Sequence, residues 1–278
     1  MGNLPIADDR GARSVVDARA GVADRPVAAL LRLGGPGAPQ RRLICLPFAG
    51  GGAATYRPWS RFLPDDVEIV SVQLPGRELA RNGRPLDSID AMAGAAHATV
   101  RSATDVPYAL FGHSMGALVA FELASALEHD GCRPPEALFV SGRRPPDETD
   151  VATPVHALPD AEFLDELQRR YGGVPDAVRS EPELLALLLP GLRADVRALE
   201  TYRIADDTRI SCPVHVYGGR DDTRPRPDQL EGWSRRTEQP VRVRLFAGGH
   251  FFVAGEPAAI CADISSQWAV AALAADPT

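Results

Sequence analysis

Cysteine is scarce in this chain. Cys45, Cys132, Cys212 and Cys261 are the four in 278 residues, and no two form a C-x-x-C pair. That spacing argues against a zinc site and supplies no disulfide framework, so reduced and mostly buried thiols in a cytoplasmic protein are expected. A basic excess is missing as well: the formal net charge is −7, which argues against a nucleic-acid partner. Long apolar runs are also lacking. The richest stretch, residues 184–189, is cut off by Pro190-Gly191 and falls far short of the ~18 residues a membrane span needs. The opening residues MGNLPIADDR contain no apolar segment of a signal peptide, and Ile6 stands where a myristoylation signal wants Ser or Thr. No membrane association and a cytoplasmic location are the resulting expectations.

What is present is a globular composition, 45% hydrophobic and 24% charged, in a chain long enough for one large α/β unit with a substantial core. Residues 1–24 are polar, rich in Ala, Arg and Asp and without clear period, and read as a disordered tail before a domain at 25–278. Strand-like segments fall at 27–33, 43–46, 67–73, 107–111, 137–141, 214–217 and 241–246, and helical ones at 89–102, 117–129 and 257–274. Short apolar strands alternating with helices predict a mostly parallel sheet covered on both faces. Residues from about 147 to 208 hold no strand candidate and read as helices at 160–170, 182–189 and 192–202. A helical insertion between two strands lies over the strand ends, where open α/β sheets bind ligands, and is a candidate lid.

The sharpest motif is Gly112-His113-Ser114-Met115-Gly116, a G-x-S-x-G directly after a strand and directly before a helix. In that context it marks the tight strand-to-helix turn of the α/β-hydrolase fold, with Ser114 as nucleophile. A Cβ at Gly112 or Gly116 would meet neighbouring backbone, and the helix N-terminus favours a developing oxyanion. A serine hydroxyl needs a base, and this fold orders its partners as serine, acid, histidine. His129 ends the helix after the serine, His156 lies in the candidate lid, and His215 is inside a strand. His250 follows the strand at 241–246 and the flexible Ala247-Gly248-Gly249, and is the expected base. The acid should follow the strand at 214–217. A G-x-x-D turn counted from Gly219 selects Asp222, with Asp221 as the alternative. The oxyanion donors are expected to be the backbone N–H groups of Met115 and of Ala49 in the loop Pro47–Gly52. That loop lacks the Lys-Ser/Thr of a phosphate-binding loop. This constellation argues acyl transfer without naming the acyl group, and it needs neither metal nor bound cofactor.

Beyond the pentapeptide, the chain resembles the type II thioesterases that accompany modular polyketide and nonribosomal peptide synthases. The resemblance rests on RLICLPFAGGGAATYRPW at 42–59, VQLPGRE at 72–78, FGHSMGALVAFELA at 111–124, SGRRPP at 141–146, LLPGLRADVRALETY at 188–202 and GGHFFV at 248–253. Similar proteins often carry Pro after the acid, where this chain has Thr223. The resemblance implies hydrolysis of acyl thioesters from the phosphopantetheine arm of acyl or peptidyl carrier proteins, through an acyl-serine. A carrier-bound arm must reach Ser114 through a cleft under the lid. Phe48 is a candidate substrate contact there, and Arg143, Arg144 and Arg77 are candidates to line the entrance and steer an acidic carrier, or else to pair with acids structurally. Asp195 supports the lid or pocket or is simply solvated, and Tyr56, Trp59 and Tyr202 belong to the core or the pocket wall. The competing readings are a free-standing carboxylesterase or lipase, an acyltransferase, and a non-catalytic binding protein on the same scaffold.

Overall fold

A computed structural model describes residues 28–78, 83–148, 153–172, 176–205 and 208–275. The tail expected at residues 1–24 lies outside the described residues. The strands are β1 (Ala29–Gly34), β2 (Arg41–Leu46), β3 (Val67–Gln73), β4 (Tyr108–His113), β5 (Ala137–Ser141), β6 (Val214–Gly219) and β7 (Val241–Phe246). They form a seven-stranded sheet in the order β1-β3-β2-β4-β5-β6-β7. Only the β1–β3 pair in this sheet is antiparallel.

The central strands are short apolar runs because both of their faces are covered. Their side chains alternate between two cores, as the two-residue strand period requires. Ile44, Leu46, Tyr108, Leu110, Leu138 and Val140 point to one face. It is covered by α1 (Ile89–Val100) and α2 (Met115–His129). Leu43, Cys45, Ala109, Phe111, Ala137 and Phe139 point to the other. There they meet α7 (Pro257–Ala275), which presents Ile260, Ile264 and Trp268 along one stripe, together with a 3-10 turn at Ala53–Arg61. The edge strand β7 alternates instead, keeping Arg242 and Arg244 outside, and charge on an exposed edge discourages pairing with another chain.

Between β5 and β6 the described residues form helices and no strand of the sheet: α3 (Asp160–Tyr171), α4 (Asp176–Arg179) and α5 (Pro182–Thr201). Helices α3 and α5 share a small core of their own, built from Phe163, Leu164, Leu167 and Val196, with Leu185, Leu189 and Leu192 packed against it. The break expected at Pro190-Gly191 does not occur, since α5 runs through Pro190 as one helix. Proline removes one intrahelical hydrogen bond, but Leu185, Leu189, Leu192 and Val196 keep the same helical phase on both sides of it. Burying that unbroken stripe outweighs the local cost. The short α6 (Phe252–Gly255) and a last loop after β7 complete the strand-end face.

Candidate active site

Ser114 sits at the junction of β4 and α2 with φ 53° and ψ −112°, a conformation rare for a residue with a side chain. The surroundings leave no alternative. A Cβ on Gly112 would stand 2.1 Å from the Gly116 carbonyl oxygen, and one on Gly116 would stand 2.2 Å from that of Leu46. The Ser114 N–H donates to the Ser141 carbonyl at 2.7 Å, tying the turn to β5. Its hydroxyl does not cap its own helix.

That hydroxyl faces His250, whose Nε2 lies 3.1 Å from Ser114 Oγ across 136 residues of sequence. The other ring nitrogen, Nδ1, is 2.9 Å from Asp222 Oδ2. A carboxylate can only accept, so Nδ1 carries the proton and Nε2 is left to accept from the hydroxyl. Asp222 is itself oriented by the Arg224 N–H, which donates to its Oδ1 at 2.8 Å. Asp221, one residue earlier, is exposed. Ser114, His250 and Asp222 are all buried.

Aromatic rings fix the imidazole in place. Tyr171 from α3, Phe251 and His113 lie 5.1–5.2 Å from the His250 ring, centroid to centroid. His113, next to the serine, bonds through Nδ1 to Ser141 Oγ at 3.0 Å. Burial first, and then the nearby His250, holds its pKa well below the usual histidine value, so it stays neutral. Sequence reasoning missed this ring, although its place inside the motif could have pointed to it.

Above Ser114 and His250 opens an apolar pocket. Phe48 and Ala49 line it from the loop after β2, Leu167 and Tyr171 from α3, Leu192, Val196 and Leu199 from α5, and Phe251 from the last loop. No Asp, Glu, Lys or Arg is among its lining residues. The loop after β2 is braced by a Gly51 N–H bond to the Phe48 carbonyl at 2.9 Å. The Gly50 N–H donates to Asp195 Oδ2 at 2.8 Å, and Asp195 Oδ1 is paired with Arg77. Asp195 is fully buried, and that burial pushes its pKa up to about 6 in spite of the guanidinium beside it. At the start of α2 the Met115 N–H has no intrahelical carbonyl to meet.

The expected arginine entrance requires correction. Arg77 is buried and paired with Asp195, and Arg144 is buried too, so neither presents its charge to a docking carrier. Arg143 is half-buried, its carbonyl accepts from Trp233 Nε1, and it is not among the pocket-lining residues. Asp195 is not a solvated acid. Tyr56 and Trp59 lie in the core under the sheet, and Tyr202 is buried against Glu122, so none of the three walls the pocket. His156 is held by Glu200, and His215 stacks on Phe139. Among the described residues no group of three or more His, Cys, Asp or Glu is placed to hold a metal ion, and no helix is long and apolar enough to cross a membrane.

Comparison with known proteins agrees with this architecture. The family model of the thioesterase domain matches residues 41–268. Thioesterase PikA5 of Streptomyces venezuelae is 40% identical over 81% of this chain and 80% of its own length. The gramicidin S biosynthesis protein GrsT of Aneurinibacillus migulanus is 37% identical over 78% of this chain and 84% of its own. Among solved structures, the type II thioesterase BorB from the borrelidin biosynthetic cluster superposes with a TM-score of 0.76 at 36% identity, covering 88% of this chain and 96% of that one. A serine, a histidine and an aspartate joined at the strand ends of such a sheet, in a chain matched over most of its length, lead to one conclusion: this protein belongs to the thioesterase family.

Proposed function

We propose that this thioesterase hydrolyses acyl thioesters from the phosphopantetheine arm of acyl or peptidyl carrier proteins, clearing stalled or misprimed units from a polyketide or nonribosomal peptide synthase. In this reading Ser114 is the nucleophile, His250 the base and Asp222 the residue that orients it. Ser114 Oγ attacks the thioester carbonyl while His250 Nε2 takes its proton. The carbonyl oxygen becomes an oxyanion held by the N–H groups of Met115 and Ala49. Collapse breaks the C–S bond, and the imidazolium returns its proton to the departing thiolate. A thiol has a pKa near ~8.5, so its departure needs less acid assistance than an amine's. Water, deprotonated by His250, then attacks the acyl-Ser114 ester and releases the free acid. Asp222 holds the tautomer and stabilises the imidazolium. Helices α3 and α5 act as a lid over the bound acyl group, and Phe48 lies against it. A cytoplasmic location, beside a soluble synthase, is part of the same proposal.

The observation that carries this reading is the hydrogen-bonded chain Ser114–His250–Asp222 at the floor of a pocket lined without formally charged residues. Such a pocket favours an uncharged acyl group and disfavours a carboxylate or ammonium on it. Relatives named for gramicidin S and borrelidin biosynthesis support the pathway class. The test is mass spectrometry of carrier proteins loaded with acyl groups of different length and charge, before and after addition of the enzyme. Loss of the acyl mass, appearance of free acid, preference for uncharged groups and inertness of Ser114→Ala are expected. A much higher kcat/KM on a p-nitrophenyl ester than on the carrier thioester would contradict the proposal, as would acyl products other than the free acid.

A further inference from the structure

The pair formed by Asp195 and Arg77 has no part in the relay just described, yet it grips the loop that carries Ala49. The relevant peptide planes can be followed one by one, because each is rigid. The Phe48–Ala49 plane holds the Phe48 carbonyl and, pointing the opposite way, the Ala49 N–H. That carbonyl accepts from the Gly51 N–H at 2.9 Å. The Gly51 carbonyl in turn accepts from Arg77 Nη1 at 3.3 Å. The next plane, Ala49–Gly50, is fixed by the Gly50 N–H, which donates to Asp195 Oδ2 at 2.8 Å. Asp195 Oδ1 pairs with Arg77, closing the ring, and the Arg77 backbone is held by Gln73 Nε2 on its carbonyl at 3.0 Å.

Both planes flanking Ala49 are therefore set by two side chains that do not touch the pocket. One of them, Asp195, stands on α5, the helix whose Leu192, Val196 and Leu199 wall the pocket. A buried carboxylate is an expensive way to seat a helix, since an apolar residue of similar volume avoids the desolvation cost. What the carboxylate provides and an apolar side chain cannot is a hydrogen-bond acceptor for a particular backbone N–H.

We propose that Asp195 and Arg77 are positioning residues that aim the Ala49 N–H at the oxyanion, so that the oxyanion hole is complete only while α5 is seated over the strand ends. This rests on the thioesterase reading and deepens it. When α5 lifts to admit or release an acyl group, Asp195 leaves with it and the Ala49 loop loses its setting. Catalytic competence and closure are thus one event, and Gly50, whose N–H is occupied by Asp195, does not compete with Ala49 as donor.

The test compares wild type, Asp195→Asn, Asp195→Ala and Arg77→Gln. Asparagine keeps an acceptor for the Gly50 N–H while losing the charge that holds Arg77, so it is the conservative variant that retains part of the function. Four quantities are measured with folding checked by thermal melting: kcat and KM on an acyl thioester, affinity for an alkyl boronic acid that forms a tetrahedral adduct on Ser114, and affinity for a thioether analogue of acyl-phosphopantetheine that has no carbonyl. Loss of a whole oxyanion donor costs about 10²–10³ in kcat, so a donor left unaimed is expected to cost about 10–100-fold in Asp195→Ala and Arg77→Gln, and less in Asp195→Asn. Boronate affinity is expected to fall in parallel, while KM and thioether affinity stay within about twofold. Equal weakening of boronate and thioether, or no change of either in the folded Asp195→Asn and Arg77→Gln proteins, overturns the inference. Should Asp195→Ala not fold, those two variants decide alone. A wild-type protein that neither cleaves the thioester nor binds the boronate overturns the thioesterase reading itself, which is a separate outcome.

Discussion

Ser114 holds a backbone conformation that costs on the order of 1–3 kcal/mol, and it persists because Gly112 and Gly116 let three backbone segments meet closer than any side chain permits. Gly116→Ala forces a methyl group to 2.2 Å from the Leu46 carbonyl oxygen, so either the turn opens or β2 shifts, and β2 leads directly into the Ala49 loop. Urea unfolding should show a loss of about 2–4 kcal/mol, and kcat should fall by at least about 10²-fold, since a 1 Å misplacement at a reacting atom is worth that much. Much of this site was legible residue by residue. Ser114, Asp222 and His250 each follow a strand and lie at or beside a glycine turn, a local pattern that needs no knowledge of distant contacts. The burial of Arg77 and Arg144 was not legible, because the partner that explains Arg77 lies 118 residues further along the chain. An arginine beside a Pro-Gly turn reads the same whether it faces water or a buried carboxylate.

At the scale of elements, β3, β5 and β7 begin and end where hydrophobic alternation and flanking turns predict, while β2 begins two residues earlier, at Arg41, and β4 and β6 end two residues later, at His113 and Gly219. Those extra residues are held by ladder pairing to neighbouring strands, which no local pattern reports. The nine-residue 3-10 turn at Ala53–Arg61 forms because Tyr56 and Trp59 bury themselves against Phe111, a contact that no local pattern announces. Helix α5 is the clearest departure. Proline predicted a break, and a continuous apolar stripe overrode it. Because Pro190 is exposed, replacing it restores a backbone hydrogen bond without removing buried surface. Pro190→Ala is therefore expected to stabilise the protein by about 1–3 kcal/mol in chemical denaturation. A neutral or destabilising effect would mean that the helix is in fact interrupted there.

At the scale of the whole molecule, two buried neutral histidines make the fold acid-sensitive. Burial above all lowers the pKa of His215 from 6.5 to about 4, against the upward pull of Asp263 and with a smaller downward push from Arg242. His113 is likewise held well below an ordinary histidine, first by burial and then by the nearby His250. Between pH 6.5 and about 4 the unfolded chain binds protons at these rings that the folded chain does not, so stability falls as pH falls through that window. Asp195 works in the opposite direction: raised to about 6 by burial, it takes up a proton in the folded state first and offsets part of the loss between about 6 and 3.8. His215→Phe, which keeps the stacking on Phe139, should show a shallower decline, with its stability advantage over wild type growing by about 2 kcal/mol between pH 7 and pH 4.5. Parallel curves for the two proteins would contradict that assignment. The relay itself is a property of the whole sheet, since it exists only when segments around residues 114, 222 and 250 are brought to one edge. Its most direct test is rapid acid quench of the enzyme turning over an acyl thioester, followed by peptide mapping. The acyl mass is expected on the peptide containing Ser114, absent from Ser114→Ala and accumulating far more slowly in His250→Ala. Acylation at any other residue, or unimpaired turnover by Ser114→Ala, would contradict it.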